Sequence, residues 1–189
     1  MSAEVAKRLV NVEEYYKMAE VGILQPSDHV ELIRGEIYTM SPIGSKHAGI
    51  VKRLTKLLND LFRDEVILGV QDPIRLSDEN EPEPDISILK YREDYYINGH
   101  PTPKDILAII EVADSSIKYD KEVKIPLYAS HGIPVYWIVD IENDMIEVLS
   151  NPIEGSYNEK KVYSSGDVLT LLGKRLQFKD IIILNNPQD

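Results

Sequence analysis

Cysteine is absent from this chain, which excludes disulfides and thiolate metal centres and fits a reducing compartment. No apolar run approaches the ~20 residues needed to span a bilayer. Met1 to Tyr16 is mixed and charged, unlike the apolar stretch of a secretory signal, so a cytoplasmic protein with no membrane partner is expected. Positive charge is scarce: 21 Lys and Arg stand against 32 Asp and Glu, a net charge of −11. Affinity for nucleic acid comes mainly from Lys and Arg neutralising phosphates, so this balance argues against tight non-specific DNA binding. Aromatic residues make up only 7% of the chain, few for stacking on sugars, which disfavours a glycosidase built on paired carboxylates. Repeats, low-complexity tracts and a convincing linker are also missing. The 189 residues, 43% of them hydrophobic, are expected to form one domain over 1–189 with a sizeable core.

What is present reads as helices alternating with short strands. Asn11 is placed to cap a helix over residues 12–21, and Pro26 and Asp28 mark a loop. Strands over 30–33 and 36–40 flank Arg34-Gly35 as a hairpin turn. Ser45 is placed to cap a helix over 46–63, in which Ile50, Leu54, Leu57, Leu58 and Leu61 keep helical spacing. His47 projects with that apolar group, whereas Lys52, Lys56 and Arg63 form an opposite, solvated face. Strands follow over 66–70 and 74–76, then an acidic turn at 78–81. Residues 90–104 are polar and turn-rich, an exposed excursion. A helix over 119–130 contains Pro126, which predicts a kink or a looser first part, and Gly132 ends it. If regular, that helix sets Asp120, Lys121, Lys124 and Tyr128 on one face. Further strands are expected over 134–140, 145–149, 157–163 and 168–172. Residues 177–183 suit a strand or one helical turn, and the polar tail 185–189 is expected to be disordered.

The chemistry concentrates between residues 81 and 124. Ile106 to Val112 is a continuous, β-branched apolar run interrupted by Glu111, the pattern of a strand buried on both faces. An ionised carboxylate there costs several kcal/mol unless a cation or hydrogen bonds satisfy it. Asp85 follows Pro84 and opens a second apolar run, Ile86-Ser87-Ile88-Leu89. Two carboxylates on neighbouring strands, with a lysine on the following helix, suit Mg²⁺ held beside a phosphate. Taken alone, Asp85 also suits a turn acid, and Lys124 an ordinary helix lysine paired with Asp120.

Pro84-Asp85 followed by Glu111-Val112-Ala113 resembles the PD-(D/E)xK signature of restriction-endonuclease-like nucleases. The wider pattern is more specific. It runs through Glu31-Leu32-Ile33-Arg34-Gly35-Glu36-Ile37, Met40-Ser41-Pro42, His47, Tyr119-Asp120, Lys124, Tyr128 and Gly132 to Asp140, with Tyr136-Trp137-Ile138-Val139 near its end. Together these are similar to the Uma-type family of restriction endonucleases over most of the chain. The resemblance implies an α/β fold, a restriction-endonuclease-like mixed β-sheet core flanked by helices, here with an extra C-terminal β-rich part. It implies Asp85, Glu111 and the Val112 carbonyl as ligands of Mg²⁺, with Mn²⁺ as a substitute. Ala113 stands where the superfamily lysine belongs, so the matching lysine is Lys124, moved to the next helix. Glu31, His47 and Tyr128 are second-tier site residues by the same match.

The implied activity is metal-dependent hydrolysis of DNA phosphodiester bonds, with a homodimer as the simplest arrangement for cutting both strands. The alternative is a non-catalytic interaction module that keeps the nuclease fold, favoured by Ala113 and the acidic surface.

Overall fold

The computed structural model of the chain describes residues 6–25 and 27–182; Pro26 and the expected tail 185–189 lie outside them. Six strands form the central sheet in the order β3-β4-β5-β6-β7-β8. They are β3 (Val66–Val70), β4 (Ile86–Lys90), β5 (Ile106–Ala113), β6 (Val135–Asp140), β7 (Met145–Ile153) and β8 (Ser156–Tyr163). Only β5 and β6 pair in parallel; the other neighbours are antiparallel. The expected mixed α/β sheet is therefore present. Two hairpins flank it, β1 (Val30–Ile33) with β2 (Glu36–Thr39), and β9 (Val168–Leu171) with β10 (Lys174–Gln177).

Three of the hairpins turn through two residues that both have positive φ: Arg34-Gly35, Glu154-Gly155 and Leu172-Gly173. Such turns match the natural twist of paired strands, and glycine supplies one left-handed position without strain. Gly35 has a second constraint, since an added Cβ would lie 2.6 Å from the Leu9 Cβ.

The two faces of the sheet carry different helices. Helix α1 (Val12–Glu20) begins at a capping box made by Asn11 and Glu14. Helix α2 (Ser45–Phe62) buries Val51, Leu54, Leu58 and Phe62 against Ile86, Ile88, Ala108, Ile110 and Val112. Its cap is Gly44 rather than the expected Ser45, and no side chain caps it, because Ser45 is already inside the helix. A helical turn α3 (Ile117–Tyr119), a π-helical stretch Asp120–Lys124 and helix α4 (Ile125–Ser130) cover the other face. There Leu127, Tyr128 and Ala129 pack on Ile109, Ala113, Tyr136 and Ile138. Side chains alternate along a strand, so Glu111 shares the face of Ile109 and Ala113 and points towards α4.

The C-terminal part extends the α2 side. Leu169, Leu171, Leu176 and the helical turn α5 (Phe178–Ile181) join the same core. The Arg53 guanidinium donates to the Asp180 and Lys179 carbonyls at 2.6 and 3.0 Å, tying α5 to α2. The expected strand over 74–76 does not form. Ile74 and Leu76 instead donate to the Pro82 and Asn80 carbonyls in a local turn, so their hydrogen bonds are met without a sheet partner. Among the described residues, no helix is long and apolar enough to cross a membrane.

Leu58 is fully buried between α2 and the sheet, whereas Lys52 on the same helix is exposed. Leu58→Ala should lower unfolding free energy by about 2–5 kcal/mol. Lys52→Ala should stay within about 0.5 kcal/mol. Urea titration of both variants checks the pair, and equal losses would contradict this packing of α2.

Candidate active site

Antiparallel pairing brings the start of β4 beside the end of β5, with Ile86 opposite Ile110. Asp85, one residue before β4, therefore lies beside Glu111 and Val112. The two strands brace each other's acids. The Val112 amide donates to Asp85 Oδ2 at 2.9 Å, and the Asp85 amide donates to Glu111 Oε2 at 3.1 Å. The Val112 carbonyl points to the same side. Its neighbour Ala113 turns its carbonyl to the β6 side, where it accepts from the Ile141 amide, and successive carbonyls of a strand alternate.

Helix α2 and strand β3 close this corner. His47, in the first turn of α2, donates from Nε2 to Asp85 Oδ2 at 3.0 Å. Gln71, just past β3, donates to Asp85 Oδ1 at 3.3 Å. The Asp85 hydrogen bond raises the His47 imidazole above its ordinary value, with burial working against it.

The lysine arrives from the opposite face. Pro126 has no amide hydrogen and crowds the turn before it, and the helix widens there: the Ile125 amide reaches back five residues to the Asp120 carbonyl. This π-helical turn separates two lysines that a regular helix would have kept on one face. Lys121 pairs with Glu147 at 2.7 Å. Lys124 turns inwards, 2.7 Å from Glu31 Oε2 and 3.3 Å from Glu111 Oε1. The expected Lys124–Asp120 pair is thus replaced by two buried carboxylates, and Asp120 instead accepts from the Ser116 hydroxyl. Two tyrosines complete the cage: Tyr128 donates to Glu111 Oε1 at 2.8 Å and Tyr119 to Glu31 Oε1 at 2.9 Å.

Lys124, Glu31 and Glu111 are each no more than 5% exposed. Burial works to lower the Lys124 ammonium, but the Glu111 and Glu31 carboxylates outweigh it and hold the lysine above its ordinary range. Glu111 moves the other way. Burial pushes its carboxyl up to about 8, with Lys124 opposing and Asp85 and Asp120 adding repulsion. Burial likewise raises Asp120 to about 6 and carries the Tyr128 hydroxyl well above its ordinary value. One ammonium faces several buried acids, and burial raises the Glu111 carboxyl further than that of Asp120.

Every expected site residue therefore meets in one cluster: Asp85, Glu111, Val112 and Lys124, with Glu31, His47 and Tyr128 around them. Tyr128 packs between helix and sheet, and its hydroxyl reaches Glu111. Gln71 and Tyr119 carry contacts that the sequence assigns to neither. Tyr119 stands in the family-like pattern, and its spacing from Lys124 is the available signal. Gln71 has none beyond lying at the end of a strand that pairs with the Asp85 strand.

The raised Glu111 value has a consequence for metal-free protein. The folded chain holds this proton up to about pH 8, whereas the unfolded chain releases it near 4.5. Its stabilising contribution is full below 4.5 and disappears as pH rises through about 8, with a slope approaching about 1.4 kcal/mol per pH unit. Glu111→Gln should flatten the fall between pH 5 and 8, leaving the smaller slopes of the same sign from Asp120, up to about pH 6, and from His47. Urea titrations in EDTA across that range test it. A variant as steep as the parent would contradict the assignment.

Comparison with known proteins follows the same lines. The model of the Uma2 family, described as "Putative restriction endonuclease", matches residues 12–179. None of the curated proteins matches the chain. Among solved structures, the crystal structure of a "putative nuclease" from Anabaena variabilis ATCC 29413 is similar, at 19% identity with a TM-score of 0.70. The match covers 91% of this chain and 97% of that one, and it shows a shared fold. On a family match spanning the sheet, both faces and the whole cluster, the chain belongs to the Uma2 family.

Proposed function

We propose that this protein is a divalent-metal-dependent endonuclease that hydrolyses phosphodiester bonds in DNA. The observation that carries this reading is the buried Lys124 ammonium, 3.3 Å from Glu111, beside an Asp85 carboxylate braced by the amide of Val112, the residue after Glu111 on β5. Family membership and the nuclease-like fold support the reaction class. A lysine missing at Ala113 favours a non-catalytic module. A lysine delivered from the next helix supplies the same ammonium, which weakens that alternative.

The donor set fits a hard cation. Asp85, Glu111 and the Val112 carbonyl offer only oxygen, the preference of Mg²⁺ and Mn²⁺. Among the described residues, no group of three or more His, Cys, Asp or Glu is arranged to hold a metal. Two carboxylates and a carbonyl leave positions for substrate phosphate and water, which Mg²⁺ commonly keeps among its ligands. When bound, such an ion would supply charge to offset the scissile phosphate and make a water more acidic.

The chain's own groups would do the rest. Asp85 and Glu111 would hold the cation, their geometry kept by the paired backbone amides. Lys124, fixed by Glu31 and Tyr119 from behind, would orient the attacking water or stabilise the charge growing on the phosphate. His47 would hold Asp85 in place by its hydrogen bond. Tyr128 would fix the Glu111 carboxylate. Covering by α2 and α4 keeps bulk water from the carboxylates, which strengthens each of these interactions.

Lys124→Met should reduce cleavage of supercoiled DNA in Mg²⁺ by ~10²–10⁴-fold, the range for a lost acid–base group. Affinity for Mn²⁺ should stay the same or rise, since a neighbouring cation is gone. Lys121→Met is the control, because its partner is Glu147 on β7; a circular dichroism spectrum for each variant verifies folding. Equal cleavage by both variants would remove Lys124 from the reaction and favour the non-catalytic module.

Asp85→Asn and Glu111→Gln should each abolish Mn²⁺ binding by calorimetry while leaving the fold intact. Unchanged affinity in both would overturn the metal assignment.

A further inference from the structure

The net charge of −11 sets a problem for any protein that must approach a polyanion, and the distribution of that charge answers it. Residues 37–59 contain no Asp or Glu, although the chain has 32 of them. The same stretch holds Lys46, His47, Lys52, Arg53 and Lys56, nearly all of it on α2. A groove of about 480 Å³ runs between that helix and the edge strand β3, lined by Lys52, Thr55, Lys56, Asn59, Val70 and Gln71, with Ala48 at its α2 start. The lining residues of α2 recur at spacings of three and four, which is one face of a helix.

One end of this groove adjoins the cluster through Gln71 and Ala48. Gln71 donates to Asp85 Oδ1, and Ala48 follows His47, which donates to Asp85 Oδ2. From Ala48 to Asn59 the helix rises about 16 Å, the length of roughly four to five nucleotides along one B-form strand. Lys52 and Lys56 are exposed, and Lys56 is engaged only by Asp60 in an exposed pair four residues on, a contact worth little in water. Arg53 differs, being committed to the α5 carbonyls. Thr55 and Asn59 add neutral hydrogen-bonding groups, and the small Ala48 keeps the end at the carboxylates open.

We propose that the groove between α2 and β3 carries the sugar–phosphate backbone of a polynucleotide strand up to the Asp85–Glu111 corner, with Lys52 and Lys56 holding its phosphates. The identity of the occupant rests on the nuclease reading above. The lysines that sequence alone assigns to a solvated face thereby become the local concentration of positive charge that an acidic chain needs. Lys52 and Lys56 are the charged residues that line the groove itself, so positive charge is what a strand lying in it meets first.

The test is binding and cutting measured side by side. Fluorescein-labelled 20-mers, one single-stranded and one duplex, are titrated in EDTA by anisotropy from 50 to 200 mM KCl. The variants are Lys52→Ala with Lys56→Ala, and the control pair Lys17→Ala with Lys161→Ala, which removes equal charge from α1 and from β8 at the other edge of the sheet. Two lost phosphate contacts should reduce the slope of log K against log salt by about 1.4 on single strands or about 1.8 on duplex. The affinity gap between parent and groove variant should shrink about tenfold from 50 to 200 mM, with no such change for the control pair. The arm showing the larger loss identifies the strand form that the groove takes. Identical slopes in groove and control variants, or no salt-dependent binding by the parent, overturn the proposal. Cleavage of the same DNA in Mg²⁺ separates the two ideas. A parent that cuts while the groove variant binds and cuts equally well removes the groove alone. Groove-dependent binding without cutting in any divalent cation removes the nuclease reading alone.

Discussion

A single ammonium buried among carboxylates is the constraint on which the rest of this structure depends. Lys124 sits between Glu31 from the β1 hairpin and Glu111 from the central sheet, so three separate parts of the chain converge on one charge. Removing a partner from such a group leaves an uncompensated buried charge and is strongly destabilising, by about 3–5 kcal/mol. Replacing the whole set by apolar residues would often be neutral or better. Stability therefore does not explain why these residues are charged. A site that must hold acids close together, away from water, does.

The arrangement also explains why the acids can lie so close. Asp85 and Glu111 each accept from the other strand's backbone amide, so the repulsion between them is offset by dipoles that cannot move away. The remaining imbalance appears as the raised Glu111 carboxyl, which burial and Asp85 both push up. A cation entering this corner would favour the charged form of Glu111. Metal-free and metal-bound forms would then differ in charge with little change of backbone, which suits a pre-formed site.

Much of this is legible in the sequence, and the exceptions have physical causes. Strand β5 is readable because a long β-branched apolar run is hard to place anywhere but in a buried strand, and the carboxylate near its end stands out against that run. Strand β3 is readable because its apolar run is bounded by polar residues. The Arg34-Gly35 turn announces itself through glycine. The turn at Leu172-Gly173 carries the same glycine, but β10 beyond it is the four-residue Lys174-Arg175-Leu176-Gln177 with one buried apolar side chain, so the strand goes unread. The 74–76 segment has strand composition, but nearby carbonyls claim its amides. Pro126 signals an irregular helix without saying which kind. The π-helical turn decides that Lys121 and Lys124 part company, and no periodicity built on a regular helix could separate them. The residue types of the cluster are all readable from the chain; their partners, Tyr119 and Gln71 especially, require three dimensions.

Net charge misleads when it is taken over the whole surface. A chain at −11 repels a polyanion at long range, yet screening limits that repulsion to about 8 Å at physiological ionic strength. Within that distance only the local charges matter, and along the groove they include Lys52 and Lys56, set against Asp60 beside Lys56 and Asp72 beside Val70. The excess of acid elsewhere then works against non-specific adhesion, while the groove offers one attractive approach. Weak general binding and a directed path to the site are two consequences of the same uneven distribution, so the acidic composition is compatible with a nuclease that engages its substrate only along one line.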